Sequence, residues 1–146
     1  MERERILAFR HTVQQFIRSF GLLEQATTPC GFSMSLSQVF ALQELEKETL
    51  TITELALRLQ LERSSVSRLI DGLVNGGFVS RELNASNRRE VILALTEKGE
   101  RSVRAVRDQS VRFYESILGH MSEPERMMLF EGFQSFANAL SEVRRS

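Results

Sequence analysis

Apolar residues recur at helical spacing along most of this chain and at alternating spacing in one short stretch. Ile6, Phe9, Val13, Phe16, Phe20 and Leu23 are spaced 3, 4, 3, 4, 3, with Ile17 beside them, so residues 2–25 are expected to form one amphipathic helix. That stripe is wider than a lone surface helix needs, so it must pack on something. Residues 27–33 break the pattern with Pro29 and Gly31. Ser35 and Gln38 then stand at capping-box spacing, with Met34 and Val39 placed as a hydrophobic staple. The helix they open is expected to reach Lys47, with Val39, Leu42 and Leu45 inward.

Thr51 and Glu54 repeat the capping logic for a helix over 54–59, with Leu55, Ala56 and Leu59 facing the core. After the turn at 60–62, Val66, Leu69, Ile70 and Leu73 fall at i, i+3, i+4 and i+7, giving a second helix over 63–75. Asn75-Gly76-Gly77 ends it, glycine being the usual left-handed cap. Residues 78–83 alternate as a half-buried strand and 90–95 answer them across a polar tip, 84–89. Helix, turn, helix, hairpin is the order of a winged helix-turn-helix. Thr96 caps a long helix to about Leu118, with Val103, Val106, Phe113 and Ile117 along one face. Ser122 and Glu125 form a further box, with Pro124 tolerated in the first turn. The helix that follows carries Leu129, Phe130, Phe133, Phe136, Ala137, Leu140 and Val143.

The expected fold is therefore mainly α. A winged helix-turn-helix at 35–95, with a two-stranded β-hairpin wing, is flanked by long terminal helices at 2–25 and 97–143, all in one domain over 1–146. A winged-helix module fills its own core with residues 36–95. Seven of the ten phenylalanines lie in the flanking helices, whose stripes are then left without a partner. Packing against a second copy would bury them, as obligate homodimer interfaces do. A twofold dimer would also present two recognition helices to half-sites ~34 Å apart.

Composition narrows the class further. With 42% apolar and 26% charged residues, the 146-residue chain is ordinary for a globular protein. No apolar run approaches the ~18 residues of a membrane span, and the start, MERERILAFR, does not read as a signal peptide. A single cysteine, Cys30, offers neither an internal disulfide nor a cysteine metal cluster and fits a cytoplasmic protein. His11 and His120 stand on separate helices, and no phosphate-binding glycine loop or metal-ligand spacing occurs. Neither an enzyme nor a cofactor is expected.

Net charge is zero, but its distribution is uneven. Residues 61–89 hold five arginines against Glu62, Asp71 and Glu82, a local +2. On the 63–75 helix, Arg63, Ser64, Ser65, Ser67 and Arg68 form a polar face near the start. Short hydroxyls beside guanidinium groups let a helix lie deep in the major groove while the arginines reach bases and phosphates. Serines are also good helix caps, so a solvated helix start is the other reading. At the hairpin tip, adjacent Arg88 and Arg89 repel unless something negative lies opposite, which suits a phosphate or minor-groove contact. Two solvated loop arginines are the alternative.

These residues together resemble the MarR family of winged-helix transcription regulators over nearly the whole chain. The likeness is densest in Thr53-Glu54-Leu55-Ala56, in Arg63-Ser64-Ser65-Val66-Ser67-Arg68-Leu69-Ile70, in Leu73 and Gly77-Phe78-Val79, and in Leu95-Thr96-Glu97-Lys98-Gly99. The resemblance implies a homodimer joined through its terminal helices and bound to a pseudo-palindromic operator in double-stranded DNA. It also implies, as in many members, a small aromatic or lipophilic effector that relieves repression. Ser64, Ser65, Ser67 and Arg68 fall on the family's recognition-helix contacts, and Arg89 on its minor-groove wing arginine. Asn87 stands where the family usually has aspartate and brings no charge to brace that arginine. Two other readings stay open: an oxidant sensor acting through Cys30, and a winged helix that binds protein. The second leaves the wing arginines unexplained.

Overall fold

The computed structural model describes residues 1–23, 26, 27, 33–87 and 90–146, with backbone alone at 22, 23, 26 and 27. Among these residues six helices and four strands follow in order: α1 (Arg3–Leu23), β1 (Ala26–Thr27), β2 (Ser33–Met34), α2 (Leu36–Lys47), α3 (Ile52–Leu59), α4 (Arg63–Asn75), β3 (Val79–Leu83), β4 (Val91–Leu95), α5 (Glu97–Leu118) and α6 (Glu123–Arg145). The chain divides into two units, Met1–Arg107 and Asp108–Ser146, so the division falls inside α5. This is the mainly α winged helix-turn-helix expected from the sequence. The short antiparallel pair β1–β2 is an addition to it, because two-residue strands carry no alternation to read.

Caps set the helix starts in the first unit. The Ser35 hydroxyl accepts the Gln38 amide at 3.2 Å while the Ser35 amide donates to the Gln38 side chain at 3.0 Å. Thr51 and Glu54 close the same box on α3, each bond 3.2 Å long, so α3 begins at Ile52, two residues before the expected start. Gln60 takes a left-handed conformation, φ 56°, to turn the chain toward α4. We expect Thr51→Ala to cost about 1 kcal/mol, the usual worth of an N-cap hydroxyl. Calorimetry should show this as a melting point lower by roughly 2–4 °C, and an unchanged midpoint would mean that the box does not hold α3.

The core of this unit is built on the predicted faces. Val39, Leu42 and Leu45 of α2, Leu55 of α3, Val66, Ile70 and Leu73 of α4, and Phe78, Val79 and Leu93 of the wing are all buried together. Leu59 and Leu69 pack on its edge. Leu50, between α2 and α3, exchanges backbone hydrogen bonds with Leu93 at 3.2 and 2.7 Å, which ties the wing to the first half of the motif. Arg58 adds a surface tie, pairing with Glu44 at 3.3 Å and with Glu48. Burial would raise the Glu44 carboxyl, but hydrogen bonds from Lys47 and Arg58 outweigh it and hold the group below its usual value. That contribution is complete above the ordinary carboxylate range and fades as pH falls through the lowered value.

α4 ends in a Schellman motif. Phe78 donates its amide to Leu73 at 2.9 Å and Gly77 donates to Val74 at 3.0 Å, with Gly77 at φ 81°. Thr96 then fastens α5 to this turn. Its amide reaches the Phe78 carbonyl at 3.1 Å, its hydroxyl donates to Gly77 at 2.6 Å, and the same oxygen accepts the Gly99 amide at 3.1 Å. Lys98 donates to the Gly76 carbonyl at 2.7 Å and sits 4.5 Å from the Phe78 ring centroid. The Thr-Glu-Lys-Gly segment is thus a joint between the end of α4, the wing and α5.

The second unit is the later half of α5 with α6. Ser122 and Glu125 form the expected box, with bonds of 3.4 and 2.7 Å. No α6 residue is buried, although Met127, Met128, Phe130, Phe133, Phe136, Leu140 and Val143 are large and apolar. In the first unit, Ile6, Phe9, Phe16 and Ile17 of α1 are exposed too, with Phe16 and Phe20 stacked at 5.0 Å.

Candidate nucleic-acid interface

Two elements meet at the candidate surface. α4 buries Val66, Ile70 and Leu73, which turns its other side outward: Arg63, Ser64 and Arg68 are exposed, and Ser65 and Ser67 half-buried. The five predicted recognition residues therefore lie on the first two turns of one helix. None of the three serines is the N-cap, which falls on Glu62; all lie inside the helix. Glu62 makes no side-chain cap bond. The first amides of α4 thus have no side-chain cap, which favours an anion at that end. Among the described residues, Arg63 and Arg68 form no ion pair.

β3 and β4 form the wing in register, from Val79 opposite Leu95 to Leu83 opposite Val91. Val79 and Leu93 are buried at the root, whereas Leu83 and Val91 are exposed near the tip. Arg88 and Arg89 lie outside the described residues. The described residues of the tip, 84–87 and Glu90, are held by a residue that no motif pointed to. Asn84 donates its side-chain amide to the Glu90 carboxylate at 2.8 Å and accepts the Ser86 amide at 3.0 Å. Its main-chain amide donates to Glu90 at 3.0 Å. Asn87 is held by its own backbone, donating to Asn84 at 3.2 Å and accepting from Glu90 at 3.0 Å. An Asx-type turn two residues ahead of Ser86 was the signal available in the sequence.

A second contact absent from the sequence pattern links the two elements. Arg81 on β3 donates to the Asp71 carboxylate on α4. Elsewhere in the first unit, an open groove of about 440 Å³ lies beside the end of α2, lined in part by Glu46, Glu48, Glu100 and Arg104 over Leu45 and Leu95. Its excess of carboxylates is unsuited to the lipophilic anion expected of an effector. Cys30 lies outside the described residues, and no cluster of three or more metal-ligating side chains occurs among those described. No described helix is long and apolar enough to cross a membrane.

A helix pair packed on one shared core that presents a polar, arginine-bearing helix start beside a β-hairpin defines the winged helix-turn-helix class. Known proteins agree. The model of the MarR family matches residues 32–90. An uncharacterized HTH-type transcriptional regulator of Mycobacterium bovis is 32% identical over 97 residues, covering 66% of this chain and 68% of the relative. Another, YfiV of Bacillus subtilis, is 26% identical over 113 residues, covering 77% and 71%. In fold, the chain superposes on Streptococcus pneumoniae FabT, solved in complex with DNA, with a TM-score of 0.77 at 18% identity over 97% of this chain and 99% of that one. A MarR family protein from Bacillus stearothermophilus gives 0.76 at 23% identity over the same shares. This chain belongs to the MarR family of HTH-type transcriptional regulators. That family consists of regulators, not enzymes.

Proposed function

We propose that this chain is a cytoplasmic, sequence-specific repressor that binds a pseudo-palindromic operator in double-stranded DNA as a homodimer. Residues 35–95 form the reading head and the helices over 2–25 and 97–143 the dimer contacts of a single domain. The observation that carries DNA reading is the exposed start of α4. There Arg63, Ser64, Ser65, Ser67 and Arg68 stand together on a helix whose opposite side is wholly committed to the core. Small hydroxyls allow close approach, Arg68 and Arg63 supply bidentate donors, and the uncapped helix end favours phosphate. Arg88 and Arg89 belong to the same reading as the wing contact, with Asn87 beside them. The homodimer is supported by α6, an amphipathic helix whose large apolar residues are all unburied in the single chain. Release by a small aromatic or lipophilic effector follows the family pattern and completes the proposal.

The test is fluorescence anisotropy with labelled duplex from upstream of the protein's own gene, across a salt series. Affinity should fall steeply with salt, and Arg68→Ala should weaken binding and lower the salt slope by about 1 if it meets a phosphate. The melting point should stay put, since Arg68 is outside the core. Salt-insensitive binding, or none to that duplex, would refute the reading.

A further inference from the structure

α4 carries an acid on its reading side. Ser64, Arg68, Asp71 and Asn75 are its exposed residues at i, i+4, i+7 and i+11, one stripe running from the start of the helix to its end. The side chain of Asp71 is 56% exposed, and it follows Arg68 by less than one turn. DNA presents one negative charge per ~1.7 Å of its axis, so a bare carboxylate there would oppose the approach of the helix. Arg81 meets that carboxylate from the neighbouring strand. It lies on β3 opposite Leu93 in the ladder, two residues beyond the buried Val79 that roots the wing. Its side chain is 41% exposed. An ion pair this open contributes little to stability, and the surrounding fold is already held by Ile70, Leu73, Phe78 and Leu93. The pair therefore has another use.

We propose that Arg81 is a positioning residue for DNA reading that acts through Asp71. By occupying and neutralising the one carboxylate on the exposed stripe of α4, it lets the helix come close to the phosphate backbone. It also ties the reading helix to the root of the wing, so that both contact elements keep one relative orientation. This inference rests on the proposal that α4 meets DNA, and it adds two residues that the recognition pattern did not include. It also divides the arginines of residues 61–89 by role: Arg81 is engaged within the protein, whereas Arg63 and Arg68 remain outward.

The experiment is a charge cycle on the full chain with the same labelled duplex, at low and high salt. Arg81→Gln exposes the carboxylate and is expected to lose about ten-fold in affinity at low salt, less as salt screens the repulsion. Asp71→Asn should bind at least as well as the wild type. The double variant should return to within about two-fold of wild type, since both charges leave together. Melting points should stay within a few degrees of one another, as expected for an exposed pair. A double variant as weak as Arg81→Gln would overturn the proposal, because Arg81 would then be touching DNA itself. Undiminished binding by Arg81→Gln would overturn it as well. Arg81→Lys covers the case in which the glutamine variant folds poorly: it keeps the charge and should bind like the wild type, and loss of affinity in a folded lysine variant would count against charge masking. Failure of the wild type to bind any duplex would instead sink the proposed function and this inference with it.

Discussion

Gly99→Ala is expected to lower the melting point of this protein by roughly 5–10 °C, although alanine is the better helix former. A Cβ at position 99 would lie 2.1 Å from the Phe78 carbonyl oxygen and 3.1 Å from its carbon. Both are main-chain atoms at the joint where Thr96 and Lys98 fasten α5 to the end of α4, so no side chain can swing away. Overpacking of this kind costs ~1–3 kcal/mol and more when backbone has to move, against a helix-propensity gain of at most ~1 kcal/mol. Parting α5 from Phe78 would also lengthen the 3.1 Å bond from Thr96 to the Phe78 carbonyl. Valine in place of alanine should deepen the loss. Scanning calorimetry settles it: a midpoint within about a degree of wild type would mean that the close approach is not part of the folded protein.

A charge placed on α6 should have the largest effect on function. Phe133 is 51% exposed in the single chain and stands within an apolar face of which nothing is buried. If that face is the proposed dimer contact, Phe133→Asp buries an unpaired carboxylate there, which costs several kcal/mol. Light scattering at micromolar concentration should then report a monomer. Operator affinity should drop by about 100-fold or more, because two half-sites are no longer engaged by one linked pair of heads. The reading head should remain folded, since its core lies within Met34–Val106 and does not draw on α6. A variant that stays dimeric would remove α6 from the interface, and a stable wild-type monomer would remove the dimer altogether.

Much of the candidate site is legible in the amino-acid sequence. The span Arg63–Asn75 matches the expected helix end to end, because its buried residues repeat at helical spacing and Gly76-Gly77 stops it. The polar face at its start follows directly from that phase. Whether Ser64, Ser65 or Ser67 caps the helix is decided by the three-dimensional arrangement. Serine suits both capping and recognition, and the position of the cap at Glu62 excludes only the N-cap role. Asn84 is legible in the sequence only as a residue suited to an Asx turn, because its bonds to Ser86 and Glu90 depend on how the tip folds. The start of α3 lies at Ile52 rather than at the expected Glu54, as the box opened by Thr51 itself implies.

Local order is thus largely determined by the sequence alone: where the helices lie to within about two residues, which face is apolar, and where the wing hairpin pairs. Those features depend on residues within a turn or two of one another, and periodicity and capping spacing record them directly. What the tertiary structure decided is which distant groups meet. Arg81 finds Asp71, Leu50 pairs with Leu93, and Gly99 presses on Phe78 only because α4, the wing and α5 cross at particular angles. Crossing angles arise from the packing of the whole core, so no short window of sequence contains them.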